Sequence, residues 1–184
     1  MKIRGKLTYM VPFEEYHLYD QRYFEWIRDQ DVVRYIGREE LLTGITFTEA
    51  EAYVKQLWAN DYCFFFAVHH KKNGNFIGTA KVNFMNERGS RYKIADIGIM
   101  LGDRTYWGFG LSTDVLRAIS AYSFDILSAR KLTAGAYSVN SAVIKAFRRI
   151  GYIEDGRLRK HLPINDNFCD QVLLSCFESE LIRD

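Results

Sequence analysis

Hydrophobic residues recur along this chain with two different periods, and the places where the period changes mark its elements. Lys6 to Phe13 reads as a first strand, with Pro12 at a sheet edge or strand end because proline has no N–H for a ladder. Asp20 then precedes QRYFEWIRDQDVVRYIG, in which Tyr19, Tyr23, Trp26 and Ile27 share one helical face until Gly37 stops the pattern. Arg38 to Gly44 reads as a loop. Thr48-Glu49-Ala50-Glu51 has capping-box spacing, and Ala50, Tyr53, Val54, Leu57 and Trp58 give the next helix its buried face. These aromatics read as core and not as a ligand cage.

From Tyr62 to Leu101 the pattern predicts three antiparallel strands. Phe64 to Val68 forms the first, and Lys71 to Asn75 turns, with Asn73-Gly74 as the hairpin signal. Phe76 to Met85 follows, Asn86 to Ser90 turns again, and Tyr92 to Leu101 is the next strand. Gly102-Asp103 then breaks it, and Gly108-Phe109-Gly110 leaves a nearly bare backbone. Beyond it Leu111, Val115, Ile119, Tyr122 and Ile126 mark one face of a helix running to Leu127. Lys131 to Val139 is a strand, and Asn140 opens a short helix that Gly151 ends. Tyr152 to Leu158 starts another strand, Leu162 to Phe168 is a loop, and Asp170 to Phe177 is the last strand. A meander followed by βαβα gives a mixed, mostly antiparallel sheet of the α/β (α+β) sort.

A glycine turn running into a helix start exposes unpaired N–H groups at the positive end of the helix dipole, and such a turn accepts an anion like pyrophosphate. Glycines also serve simply to turn a chain. No Gly-Lys-Ser/Thr ending is present, which excludes a nucleoside-triphosphate P-loop, and two close glycines fall short of a dinucleotide fingerprint.

Composition narrows the field. The 184 residues make one domain spanning 1–184, with 48% hydrophobic and 26% charged residues, ordinary for a soluble globule. A formal net charge of +2 is too small for nucleic acid to be the main partner. Cys63, Cys169 and Cys176 are odd in number and follow no metal spacing, so the expected setting is reduced and cytoplasmic, with no metal. There is no signal segment or run of about 18 apolar residues, so no membrane role is expected. His69-His70 reads as a solvated strand end.

Tyr106-Trp107-Gly108-Phe109-Gly110-Leu111-Ser112-Thr113, Asn140-Ser141-Ala142, and Ala146 through Tyr152 followed by Glu154 to Arg159 are similar to the GNAT superfamily of acyl-CoA N-acyltransferases. The similarity covers nearly the whole chain and is strongest to the branch of ribosomal-protein N-terminal, polyamine and amino-sugar acetyltransferases. It implies a sheet flanked by about four helices that splays between its fourth and fifth strands, here Tyr92 to Leu101 and Lys131 to Val139. It places acetyl-CoA as co-substrate, with pyrophosphate on the backbone of Trp107, Gly108, Phe109, Gly110, Leu111 and Ser112. Pantetheine falls on the fourth strand, at Ile99, Met100 and Leu101, and on Asn140. Asn140 also suits a helix N-cap, and the two roles are compatible. Two positions depart from the family pattern. Thr105, preceded by Arg104, stands where the turn usually begins with Gln or Arg. Phe147 stands where a Tyr commonly protonates the departing thiolate, and without a hydroxyl it is left to pack against the pantetheine.

Transfer of an acetyl group needs a neutral amine, so an ammonium of pKa about 10.4, or about 7.7–8.0 for an α-amino group, must lose a proton. The resemblance implies that backbone N–H groups of the fourth strand, here around Ile99 to Leu101, meet the developing oxyanion. Asp96, on the alternating face of Gly98 and Met100, is the first choice of base, against a plain exposed or salt-bridged carboxylate. Tyr137 is a candidate acid, against a core tyrosine. Cys169 and Cys176 lack a His partner for an acyl-cysteine route, and Lys145, Arg148 and Arg149 complement a helix C-terminus.

The acceptor would lie against Tyr23 to Leu42 and the loop Leu162 to Asp170, where Glu39, Glu40, Asp166 and Asp170 are candidates to attract a cationic amine, against the reading of plain solvated charges. YFEWIRDQDVVRYIG is similar to acetyltransferases acting on amino sugars, so the expected acceptor is a small amine such as an amino sugar or polyamine. A protein N-terminus, or a catalytically inactive acyl-CoA-binding module, is the alternative, and a homodimer is one assembly the family allows. A nucleotide-binding redox protein lacks its fingerprint here.

Overall fold

The computed structural model describes residues 1–85 and 91–184, so the turn expected at Asn86 to Ser90 lies outside the described residues. The chain opens with β1 (Ile3–Arg4) and β2 (Thr8–Pro12), followed by α1 (Glu15–Leu18), α2 (Gln21–Trp26), α3 (Gln30–Val33), α4 (Glu39–Thr43) and α5 (Phe47–Trp58). Then come β3 (Cys63–His70), β4 (Phe76–Phe84), β5 (Ile94–Leu101), α6 (Leu111–Asp125), β6 (Lys131–Tyr137), α7 (Ser141–Arg149), β7 (Ile153–Ile164) and β8 (Asn167–Cys176). The strands form one sheet in the order β1-β2-β3-β4-β5-β6-β8-β7, antiparallel except between β5 and β6.

Alternation along the central strands feeds two cores, one on each face of the sheet. On β3, Phe66 and Val68 join the cluster with α6 and α7, whose Leu111, Val115, Leu116, Ile119, Ile144 and Phe147 cover that face. Ala67, between them, points the other way, into the cluster of Phe13, Leu18, Tyr23, Trp26, Val54 and Phe76 beneath the N-terminal helices. Asp114 ties the first hairpin to α6. Its buried carboxylate accepts from the amides of Lys6, Leu7 and Thr8 at 2.7, 3.0 and 2.8 Å and from Thr8 Oγ1 at 2.7 Å.

Several expectations are corrected. The helix expected over 21–37 is two short ones, because Asp29 caps a new helix through the Asp31 amide at 2.9 Å. Tyr19 precedes both and is exposed. Arg38 to Gly44 is not a loop but contains α4. The capping box of α5 is Thr46 with Glu49, two residues before the expected pair. Ala50 and Val54 are buried there, whereas Trp58 is largely exposed and donates from Nε1 to the Phe13 carbonyl at 2.8 Å. α6 stops at Asp125, so Ile126 falls outside its apolar face and is exposed.

Leu162 to Phe168 is not a loop: β7 and β8 run as one long hairpin, and Leu162, Pro163 and Ile164 pair with Cys169, Phe168 and Asn167. β1 is an additional strand, and among the described residues seven α-helices stand where about four were expected, α1 to α4 being short ones of four to six residues. His69 is not solvated. Its ring stacks on Tyr9, and its Nε2 lies 3.3 Å from Nε2 of buried His17.

β5 and β6 are the expected diverging strands. They pair only from Ile94 to Asp96 against Lys131 to Thr133, after which β6 continues alongside β8 alone. The sheet therefore opens beyond Asp96.

Candidate active site

A cleft of about 620 Å3 occupies that opening. Its floor is β5 with the facing residues Gly135 to Tyr137 of β6, one rim is Trp107, Gly108 and Ser112, and the other is Asn140 to Val143. The N-terminal helices close the far end with Tyr23, Ile27, Tyr35 and Tyr53.

Hydrogen-bond parity decides which backbone groups of β5 face the gap. Met85 donates to the Ile94 carbonyl and Gly102 donates to that of Ile77, so the even-numbered residues of β5 exchange bonds with β4. The N–H and C=O groups of Ile97, Ile99 and Leu101 consequently point toward β6, which has left. Trp107 Nε1 takes the Leu101 carbonyl at 2.8 Å, anchoring the turn to the end of the strand. Met100, expected alongside Ile99 and Leu101, directs its own amide to β4 and contributes a side chain to the cleft wall. The side chains of Asp96 and Met100 share the cleft face with the bare Gly98 between them, and the space above the Gly98 Cα is open.

The glycine turn has the geometry of an anion cradle. Gly108 and Gly110 have φ of 85° and 77°, a region that a side chain disfavours, and nothing lies within 4 Å of where a Cβ would stand on either. Gly110 is the N-cap of α6 and its carbonyl accepts from Asp114 at 3.1 Å. Among the described residues the amides of Gly108 to Thr113 have no hydrogen-bond partner. Six unpaired donors at the start of a fifteen-residue helix fit a pyrophosphate. Ser112 lines the cleft, but Leu111 is buried in the core and Phe109 turns its ring outward, so both offer only backbone. Arg104 is held away by Asp31 at 2.8 Å and Asp29 at 3.4 Å, and Thr105 Oγ1 is bound to Asp103 at 2.6 Å.

On the opposite rim, Asn140 Oδ1 accepts the Val143 amide at 3.4 Å and caps α7, leaving its side-chain amide group without a hydrogen-bond partner among the described residues. Phe147 is buried against Tyr152 and forms apolar wall. Asp96 stands where the strands part, and Thr133 Oγ1 donates to its Oδ1 at 3.2 Å. Burial pushes its carboxyl up, opposed by that hydrogen bond and by the charge of Lys81. Tyr137 is a buried tyrosine with its ring 5.5 Å from that of Tyr35, and burial raises its phenol, with Cys169 adding to the rise.

The structure thus brings Asp96, Tyr137, Ile99, Met100, Leu101, Trp107, Gly108, Ser112, Asn140 and Phe147 to one cleft, with Phe109, Gly110 and Leu111 just beyond its rim. Of the segments expected to hold an acceptor, Tyr23 to Leu42 contributes to the wall, but no residue of the β7–β8 hairpin tip does. Glu39, Glu40, Asp166 and Asp170 lie outside the cleft wall. Glu40 is paired with Arg38 at 2.6 Å, and Asp170 accepts the Lys160 amide at 2.9 Å. Two lining residues were not anticipated, Lys81 and Tyr53, and Arg38 falls within the expected stretch Tyr23 to Leu42 without having been singled out. Lys81 had a signal, being the lone charge in the apolar strand FIGTAKVNF. Among the described residues no group of three or more His, Cys, Asp or Glu is placed to hold a metal ion, and no helix is long and apolar enough to cross a membrane.

The fold is shared widely. Spermidine N-acetyltransferase from Vibrio cholerae, solved with CoA and spermine, superposes with a TM-score of 0.84 at 18% identity, covering 96% of this chain and 98% of that one. The ribosomal-protein-S5-alanine acetyltransferase from Vibrio fischeri gives 0.78 at 15% identity, covering 99% of each chain. In sequence, an N-acetyltransferase 9-like protein of Nematostella vectensis is 25% identical over 158 residues, 80% of this chain and 75% of that protein. The family model for the acetyltransferase (GNAT) domain matches residues 9–153, and with most of its length so matched the chain belongs to the GNAT family of acyl-CoA-dependent acetyltransferases.

Proposed function

We propose that this N-acetyltransferase moves the acetyl group of acetyl-CoA to the primary amine of a small acceptor, such as an amino sugar, by direct attack in a ternary complex. The observation that carries this reading is the parting of β5 and β6 at Asp96, which opens one cleft holding a partly buried carboxylate at one end, unpaired strand amides along its floor and a free-amide turn past the other end of β5. In this reading the amides of Gly108 to Ser112 hold the pyrophosphate, and Asn140 and the gap-facing backbone of Ile97, Ile99 and Leu101 hold the pantetheine arm. The Ile99 and Leu101 amides meet the charge that develops on the acyl oxygen. Asp96 takes the amine's proton, directly or through water, and its raised pKa makes it a better base than an ordinary aspartate. Tyr137, kept protonated by burial, returns a proton to the leaving thiolate in place of the hydroxyl that Phe147 lacks.

A protein α-amino group is the second reading, supported by the ribosomal-protein acetyltransferase among the structural neighbours, as a polyamine acceptor is by the spermidine enzyme. The free Cys63, Cys169 and Cys176 support a reducing, cytoplasmic setting. Release of CoA thiol from acetyl-CoA against amino sugars, polyamines and N-terminal peptides tests the proposal. Saturation by one class names the acceptor group, and turnover confined to peptides selects the second reading.

A further inference from the structure

The acceptor half of the cleft is more basic than a site for polycations should be. Five charged side chains line the cleft: Asp31, Arg34, Arg38, Lys81 and Asp96. Asp31 is already engaged, by Arg104 at 2.8 Å and Arg34 at 3.6 Å. Arg38 and Lys81 converge on one ring. The Arg38 guanidinium lies 3.6 Å from the Tyr53 centroid, and Lys81 Nζ lies 3.4 Å from the Tyr53 hydroxyl. Among the described residues Arg38 is ion-paired only with Glu40, which is half exposed and outside the cleft wall. Among the described residues no carboxylate comes within 4.0 Å of Lys81 Nζ. The remaining carboxylate of the floor, Asp96, has to stay open to the amine.

Resting on the acetyl-transfer reading above, we infer that the acceptor carries a negatively charged phosphate or carboxylate besides its amine, and that Lys81 and Arg38 bind this group beside Tyr53. An arginine fork and a lysine point charge beside a phenol hydroxyl form a donor set suited to an oxyanion. Lys81 stands directly across the ladder from Gly98, and Asp96 lies two residues before Gly98 on β5, so the three share one face and the bare Gly98 backbone leaves room over that face for the body of a small molecule. An acceptor seated there places its anion at Lys81 and its amine at Asp96. A polyamine, with positive charge along its length, meets two cations instead, and that mismatch selects against it.

Matched acceptors test this: glucosamine against glucosamine 6-phosphate, and butylamine against 4-aminobutyrate, with spermidine as the polycation, each followed by CoA-thiol release at low salt. The acidic member of at least one pair should have a kcat/KM about tenfold or more above its neutral partner. Whichever pair shows the gain identifies phosphate or carboxylate. Lys81→Gln and Arg38→Gln should shrink that ratio toward one, mainly through the acceptor KM, while Lys81→Arg keeps most of it and the KM for acetyl-CoA moves less than twofold. Equal rates within both pairs, a preference for spermidine, or a ratio that survives Lys81→Gln would overturn the inference. Amine-dependent CoA release that ignores the acidic group removes this inference alone. Absence of release with every amine removes the transferase reading with it.

Discussion

In the proposed mechanism Asp96 is the residue on which the chemistry turns, and its environment imposes opposite demands on activity and stability. Burial disfavours its charged form more than Thr133 and Lys81 restore it, so the folded chain holds that proton more tightly than the unfolded one. A group shifted this way contributes stability below its unfolded pKa and loses it as pH rises through the folded value. At pH 7.5 Asp96→Asn should therefore melt no lower than wild type, and by a few degrees higher, while its kcat falls about 100-fold or more. The base works deprotonated, so wild-type kcat/KM should fall as pH drops through the raised pKa, and Asp96→Asn should lose that acidic limb. Unchanged turnover in this variant would remove Asp96 from the mechanism.

His17 and His69 illustrate a residue pair invisible in sequence. The Glu14 amide donates to His17 Nδ1 at 3.0 Å, which leaves the His17 proton on Nε2, pointing at His69 Nε2; His69 Nδ1 in turn donates to the Gly74 carbonyl at 3.0 Å. Both rings are thereby held neutral, and burial, with His69 adding to it, pulls His17 down to about 4 from an ordinary 6.5. Its contribution is complete above the unfolded pKa and is lost as pH falls from there toward about 4. That amounts to roughly 2 kcal/mol by about pH 5. Urea titrations should show stability falling between about pH 7.5 and 5, and His17→Phe should flatten that slope; an equal slope in the variant would contradict the pairing. His69 looks solvated in sequence because the histidine it meets is 52 residues away.

At the scale of elements, the strands carrying the site were legible and the short helices were not. β3 to β6 announce themselves through dense apolar runs and the Asn-Gly turn, and α6 and α7 through strong amphipathic spacing. The region 21–43 was misread because local capping by Asp29 restarts the helix inside a pattern whose apolar period continues unbroken. The tip of the β7–β8 hairpin was read as a loop because its side chains are largely exposed on both faces, so no alternation marks it. Asp114 likewise gave no signal, since only the fold shows that it satisfies the β1–β2 turn. Asp114→Ala strands three amides and the Thr8 hydroxyl, those of Thr8 buried, and should cost about 3 kcal/mol in urea unfolding, against which a loss under 1 kcal/mol would deny the clamp. Gly98 is the counterpart on β5. Because the space above it is open, Gly98→Leu should fold normally, bind acetyl-CoA and raise the acceptor KM by about tenfold, measured by CoA release. An unaltered acceptor KM would mean that the acceptor does not cross that strand.

Taken whole, the molecule is a sheet that stays paired where it needs a core and unpairs where it needs a site. Two apolar layers hold its faces, and the three-residue contact between β5 and β6 fixes where the opening begins. The family motifs exposed the cofactor side of that opening, because glycine spacing and a helix start are local. The side proposed for the acceptor, where Arg38 and Lys81 meet Tyr53, draws on three separate segments and could not be read as a motif. Amine-dependent release of CoA thiol from acetyl-CoA tests the central claim most directly. The account predicts saturable release with a primary amine that collapses in Asp96→Asn while acetyl-CoA binding persists; release no faster than the amine-free background with every class of amine would contradict it.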